Sequence, residues 1–172
     1  VEFVGSFLIL PINYSIVTNI DYEHIDFYKN YKNLENAFLK FINKTPTTGK
    51  CFICIDDKNI KKILPKTKNK NILFYGCSKK ASYKISNIRQ NIDYSIFDLS
   101  YFDLDHKQIK VKDIKLKLIG EHNVLNATAA ISVCLNLGVK ISTIKKALKN
   151  FTGVQRRMTK IFVKNKNEFF DD

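Results

Sequence analysis

The sequence predicts an α/β fold, a mostly parallel sheet flanked by helices, with a small antiparallel sheet appended to it. Apolar runs rich in Ile and Val alternate with segments of helical period through the first half of the chain. Between Tyr83 and Leu118 the pattern changes to simple alternation, which suits strands with one solvated face. Helical period then returns from His122 to Asn150. With 172 residues, 45% of them apolar, the chain is long enough for one domain with its own core.

Taken in order, residues 3–10 form an unbroken apolar run that reads as an interior strand rather than a domain's beginning, so the chain is expected to be truncated at its N-terminus. After Pro11, residues 14–20 read as a second buried strand of the parallel type. The polar cluster Asp21, Glu23, His24 and Asp26 follows. Leu34, Ala37, Phe38, Phe41 and Ile42 recur at i, i+3, i+4, i+7 and i+8, which predicts a helix with one buried face, and Gly49 closes that unit. Residues 51–55 are a strand, 59–64 a short helix stopped by Pro65, and 71–75 a strand ending at Gly76. Residues 83–88, 94–99 and 109–118 supply the antiparallel strands. Two helices follow, 122–137 ended by Gly138 and 142–150 with Ser142 as its N-cap. A strand over 159–164, a turn at 165–167 and a last run at 169–172 complete the chain.

The net charge of +13 raises the question of nucleic acid, since lysine-rich surfaces neutralise phosphates. Here the lysines are spread along the whole chain, and only Arg89, Arg156 and Arg157 offer the planar fork that reads bases or clamps phosphates. Solvated surface charge is the reading this distribution favours. Cys51 and Cys54 form a C-x-x-C, but inside a strand positions three apart point to opposite faces and cannot share a metal. Free structural thiols in a reducing compartment follow. No apolar stretch of about 18 residues exists to span a bilayer, and a cytoplasmic location is expected.

Four constellations could carry chemistry, each at a strand end or helix start, where open α/β sheets bind ligands. Asp21, Glu23, His24 and Asp26 after the second strand could hold a divalent ion or orient a phosphate, or could be acids at a solvated helix start. Asn123 and Asn126, three apart on one helix face, could present two amides to a base edge, or could serve the helix start itself. Arg156 and Arg157 could grip a nucleotide phosphate or ribose, or be solvated. Glu2 alone carries almost no signal.

Together and in this order, TNIDYEHIDFY at 18–28, GEHNVLNATAAI at 120–131 and FTGVQRRMTK at 151–160 resemble the Mur ligases, and among them the members that join L-alanine to UDP-N-acetylmuramate. The resemblance extends through LENAFLKFI at 34–42 and the terminal FFDD, leaving out only the weakly patterned residues 66–117. It implies a three-layer, P-loop NTPase-like central ATP-binding domain over residues 1–157, lacking its N-terminal phosphate-loop part, and the start of a C-terminal domain over 158–172. It further implies that ATP phosphorylates the sugar nucleotide's carboxylate and that the amino acid's amine attacks the acyl phosphate. Glu2 and His24 match ligands of a magnesium site, with His24 also catalytic. Asn123 and Asn126 match residues that contact adenine, Arg157 and its neighbour Arg156 would reach phosphates or ribose, and Asp172 matches an aspartate that touches the ribose. ATP and Mg2+ are the implied cofactors, UDP-N-acetylmuramate and L-alanine the substrates. The missing N- and C-terminal domains of the same enzyme are the implied partners, with neither nucleic acid nor membrane among them.

The departures are as specific. No GxxGKT-type phosphate loop occurs in the chain, and it is expected upstream. Phe3 and Val4 stand beside Glu2 where the family carries small and acidic residues. The isolated piece is expected not to turn over, and the sheet is expected to leave apolar surface open. A murein tripeptide recycling ligase, a basic nucleic-acid-binding domain and a purely structural relative remain as alternatives.

Overall fold

The computed structural model describes residues 6–21, 28–103, 105–154, 159–164 and 167–171. Six strands form one sheet in sequential order: β1 (Tyr14–Val17), β2 (Lys50–Cys54), β3 (Ile72–Gly76), β4 (Tyr83–Gln90), β5 (Ser95–Phe102) and β6 (Gln108–Leu116). The first four run parallel, and β4 to β6 form an antiparallel meander. The antiparallel strands expected as an appended sheet are therefore continuous with the parallel one, because β4 pairs with β3 through Tyr75 and Gly76 before extending past it. A separate hairpin pairs β7 (Thr159–Lys164) with β8 (Asn167–Asp171).

Helices cover both faces of the parallel part. α1 (Tyr31–Lys44) starts where the Asn30 side chain accepts from the Asn33 amide at 2.9 Å. Its far end packs onto one face, where the Thr45 hydroxyl meets that of Ser15 in β1 at 2.6 Å. α2 (Lys58–Ile63) is capped by Asp57, which accepts from Asn59 and Ile60. α3 (Glu121–Asn136) packs against β2, β3 and β4, and its Asn136 donates to the Tyr83 hydroxyl at 2.6 Å. α4 (Ile141–Asn150) packs against β6. β2 is consequently buried on both sides, with Phe52 and Ile53 fully enclosed. Cys51 faces Ser15 and Thr45 while Cys54 lies near Tyr75, and burial pushes both thiols up. Cys51, Cys54, Cys77 and Cys134 are free thiols.

Three expectations are corrected. Within residues 6–10 there is no strand: Ser6–Leu8 is a 3-10 turn, and Phe7 packs on Phe38 and Phe41 with ring centroids 5.8 and 5.2 Å away. Lys44 Nζ takes the Leu8 and Leu10 carbonyls at 2.5 and 2.9 Å, satisfying backbone that a strand would have paired. The second strand is shorter than expected and, among the described residues, lies at the edge of the sheet with alternating burial, leaving Tyr14 39% and Ile16 41% exposed. Ile9 and Leu10, ahead of this strand, are exposed as well. Finally, Ser142 lies inside the first turn of α4. The helix starts one residue earlier, with the Lys140 carbonyl accepting from Thr143 and Ile144.

Two local features yield predictions. β4–β5 and β5–β6 each carry a register shift, and Asn87 and Asp113 beside these shifts adopt positive φ, 51° and 56°. Asp98 bridges them: it accepts from the Asp113 amide at 2.9 Å and from the Asn87 side chain at 2.7 Å. These two bonds hold its carboxyl below the ordinary aspartate range. A depressed folded pKa means that the stability carried by Asp98 is complete above the unfolded pKa and is lost as pH falls through the folded one. The stability difference between the wild type and Asp98→Asn should therefore shrink as urea melts are moved from about pH 6 to about pH 3; a constant difference would contradict the bridge. Tyr75 is the second feature. It is fully buried, and its hydroxyl has no hydrogen-bond partner among the described residues. Tyr75→Phe should leave the denaturation midpoint unchanged or raise stability by up to about 1 kcal/mol, since an unpaired buried hydroxyl is a cost. A marked loss would show that the hydroxyl is satisfied after all.

Candidate functional site

The carboxyl ends of β1, β2 and β3 are tied to one another by side chains that the turns themselves supply. The Ile20 carbonyl, just past β1, accepts from Asn59 Nδ2 at the start of α2 at 2.7 Å. Asp56, just past β2, accepts the amides of Cys77 and Ser78, just past β3. Gly76 makes that approach possible: it holds φ at 140°, and a Cβ there would fall 2.4 Å from Asp56 Oδ2. Cys77 is in turn near enough to Glu121 at the start of α3 that this carboxylate and that of Asp56, after burial as the larger cause, push its thiol up to about 11. Four segments thus converge at one edge of the sheet, the location where open parallel sheets bind ligands. The Thr18, Asn19 and Asp21 side chains form a short hydrogen-bonded run on the first of them, from Thr18 to Asn19 and from Asn19 to Asp21.

The start of α3 is built without a side-chain cap. Gly120 occupies the N-cap position with φ 96° and ψ 140°, a conformation reserved for glycine, and its carbonyl accepts from Asn123 and Val124. Asn123 Nδ2 turns back to the Ile119 carbonyl at 2.7 Å, which leaves its Oδ1 as an acceptor. Asn126, one turn on, is exposed. Val124, Ala127 and Thr128 are buried between them and the sheet, so the two amides lie on the outer side of the helix. Beside this turn is a shallow cleft of about 500 Å³ lined by Ile88, Gln90, Asn91, Ile119, Gly120 and Glu121.

Of the residues singled out in the sequence, Asn123 and Asn126 are brought to this edge on one helix. Glu2, His24, Arg156, Arg157 and Asp172 lie outside the described residues. Among the described residues no group of three or more His, Cys, Asp or Glu side chains is gathered as a metal cluster. Sequence reasoning missed Asp56 and Gln90. Asp56 had a signal, an acid directly after a buried strand with a glycine ending the next strand. Gln90 had none, because its partners come from sequence positions 95 and 120.

The profile of the family described as the Mur ligase middle domain matches residues 5–134. The chain belongs to that family. The Mur ligase match covers the sheet and most of α3, including Gly120, Asn123 and Asn126. The chain is 51% identical over 168 residues to a UDP-N-acetylmuramate–L-alanine ligase of Pelagibacter ubique, an alignment that takes in 98% of this chain and 36% of that protein. A ligase of the same description from Brachyspira hyodysenteriae is 41% identical, again over 98% of the chain and 35% of the relative. The chain therefore spans about a third of the length of the curated relatives it matches. Among solved structures, MurF from Acinetobacter baumannii superposes with a TM-score of 0.77 at 23% identity, over 97% of this chain and 35% of that one. The UDP-N-acetylmuramate–alanine ligase MurC from Thermotoga maritima superposes with 0.72 at 25% identity, over 98% and 36%. The three-layer Mur ligase architecture read from the sequence is thus present, with its six strands in one mixed sheet. No helix among the described residues is long and apolar enough to cross a membrane.

Proposed function

We propose that this chain is the nucleotide-binding core of a cytoplasmic ligase that joins L-alanine to UDP-N-acetylmuramate at the expense of ATP, in peptidoglycan synthesis. The observation that carries the proposal is the 51% identity with a ligase of that description along 98% of the chain. In this reading residues 1–157 belong to the central domain and 158–172 open the C-terminal one. The separate β7–β8 hairpin after α4 supports that division.

The start of α3 fits an adenine base. Asn123 offers Oδ1 as an acceptor, Asn126 offers an exposed amide, and the cleft beside Gly120 pairs the apolar Ile88 and Ile119 with polar Gln90 and Asn91. Arg156, Arg157 and Asp172 are assigned to the phosphates and ribose. A magnesium ion fits the chemistry after β1, where Thr18, Asn19 and Asp21 supply the hard oxygen donors it prefers, with Glu2 and His24 as the assigned ligands. When bound, it would neutralise charge on the transferring phosphoryl oxygens. The protein's own part is to hold the nucleotide, keep the acyl phosphate from water and orient the attacking amine.

The test is made on the whole reading frame that contains this chain. Phosphate release should require ATP, Mg2+, UDP-N-acetylmuramate and L-alanine together. Release that requires an L-alanyl tripeptide in place of L-alanine would move the assignment to the murein recycling ligase. Salt-sensitive binding of DNA or RNA without any such release would overturn it.

A further inference from the structure

We propose that Gln90 is a positioning residue for the nucleotide-binding turn, acting as an acceptor clamp that fixes the start of α3 against the β4–β5 hairpin. The inference rests on the adenine reading of Asn123 and Asn126, and names a residue outside that set.

Gln90 is the last residue of β4, opposite Ser95 at the first position of β5. Its Oε1 accepts from the Gly120 amide at 3.0 Å and from the Ser95 hydroxyl at 2.8 Å. The Ser95 hydroxyl also lies 2.6 Å from the Leu118 carbonyl, so its single proton is shared between two acceptors. Ser95 is fully buried, which makes this a fixed point rather than a solvent-averaged contact. The amide orientation of Gln90 is determined as well, because a flipped side chain would set its NH2 against the Gly120 N–H. The Leu118–Gly120 turn is therefore held at both ends by one small network.

What this network holds is a helix start that has no side-chain cap of its own. Gly120 has no side chain and adopts a conformation with positive φ. A helix that begins on an uncapped glycine has a soft first turn. Asn123 borrows its own orientation from the Ile119 carbonyl, in the middle of the clamped turn. Movement of the turn thus passes directly to the Asn123 amide and, through the first helical turn, to Asn126. The Gln90 side chain also lines the cleft beside the turn, so the clamp and the candidate binding surface are one structure.

Gln90 is exposed, so its replacement removes nothing from the core. In the whole enzyme, Gln90→Leu, which removes the acceptor at similar volume, should raise the KM for ATP about fivefold to tenfold and narrow the preference for ATP over GTP. The KM for UDP-N-acetylmuramate should stay within about twofold. Gln90→Ala, which cannot strain the turn, should reproduce the effect, and Gln90→Glu, which keeps the acceptor oxygens, should restore most of the ATP affinity. A structural role alone would move all substrates and the melting temperature together without altering purine preference; that result would overturn the inference, as would an unchanged ATP KM and ATP:GTP ratio in both Leu and Ala variants. Wild-type enzyme without ATP-dependent ligation would instead defeat the functional proposal on which the inference stands.

Discussion

Replacing Asn126 with alanine should make the protein slightly more stable and a much poorer nucleotide binder. Asn126 lies in the interior of α3 on its exposed side, where alanine is favoured over asparagine by about 0.5 kcal/mol. That corresponds to a rise in melting temperature of about 1–2 °C for a chain of this size. If the amide contacts a purine edge, its loss costs about 1–2 kcal/mol of binding, which is about tenfold in Kd for ADP. Asn123→Ala should differ in sign on the stability axis, because Asn123 also bonds the Ile119 carbonyl and holds the turn. The double variant should lose about a hundredfold in affinity if the two amides act independently. Calorimetric melting and an ADP titration on the same samples check this. A stabilised N126A protein that binds ADP normally would remove the amide from the site.

Gly120→Ala should disturb the turn that opens α3 and weaken nucleotide binding sharply. At φ 96° and ψ 140° an alanine costs about 1–3 kcal/mol in backbone strain. Its Cβ would also sit 2.6 Å from His122 Cε1 and 2.8 Å from Nδ1, although that ring can swing away. The cheaper response is for the turn to adopt another conformation, which withdraws the Gly120 amide from Gln90 and the Ile119 carbonyl from Asn123. Nucleotide affinity should fall at least tenfold, while the core formed by Phe52, Ile53, Phe97 and Ile114 remains intact by near-ultraviolet spectra and hydrogen exchange. Normal affinity in this variant would mean that the turn's geometry does not matter to binding.

The elements were legible where periodicity alone decides them. The i, i+3, i+4 pattern around Leu34 and Phe38 located α1, and the apolar run at 51–55 located β2, because burial on one or both faces leaves a mark in the order of residues. The opening run misled for the same reason: apolar content says that Phe7 is covered, and it is, but by an aromatic cluster on α1 rather than by strand neighbours. Whether the β4–β6 meander formed a second sheet or extended the first could not be read, since it depends on the brief pairing of β3 with β4. In the site, Asn123 and Asn126 were visible as a helical pair within a recognisable motif. Asp56 and Gln90 work through backbone amides 21 and 30 residues away, and contacts of that kind leave no local pattern.

The central claim is that adenine docks on the first turn of α3. Photolabelling of the whole enzyme with 8-azidoadenosine triphosphate measures it directly. The claim predicts that the label is recovered on the peptide containing residues 118–130, is competed away by ATP and is lost in the Asn126→Ala variant. Label that ATP displaces but that is recovered only from other peptides would contradict it.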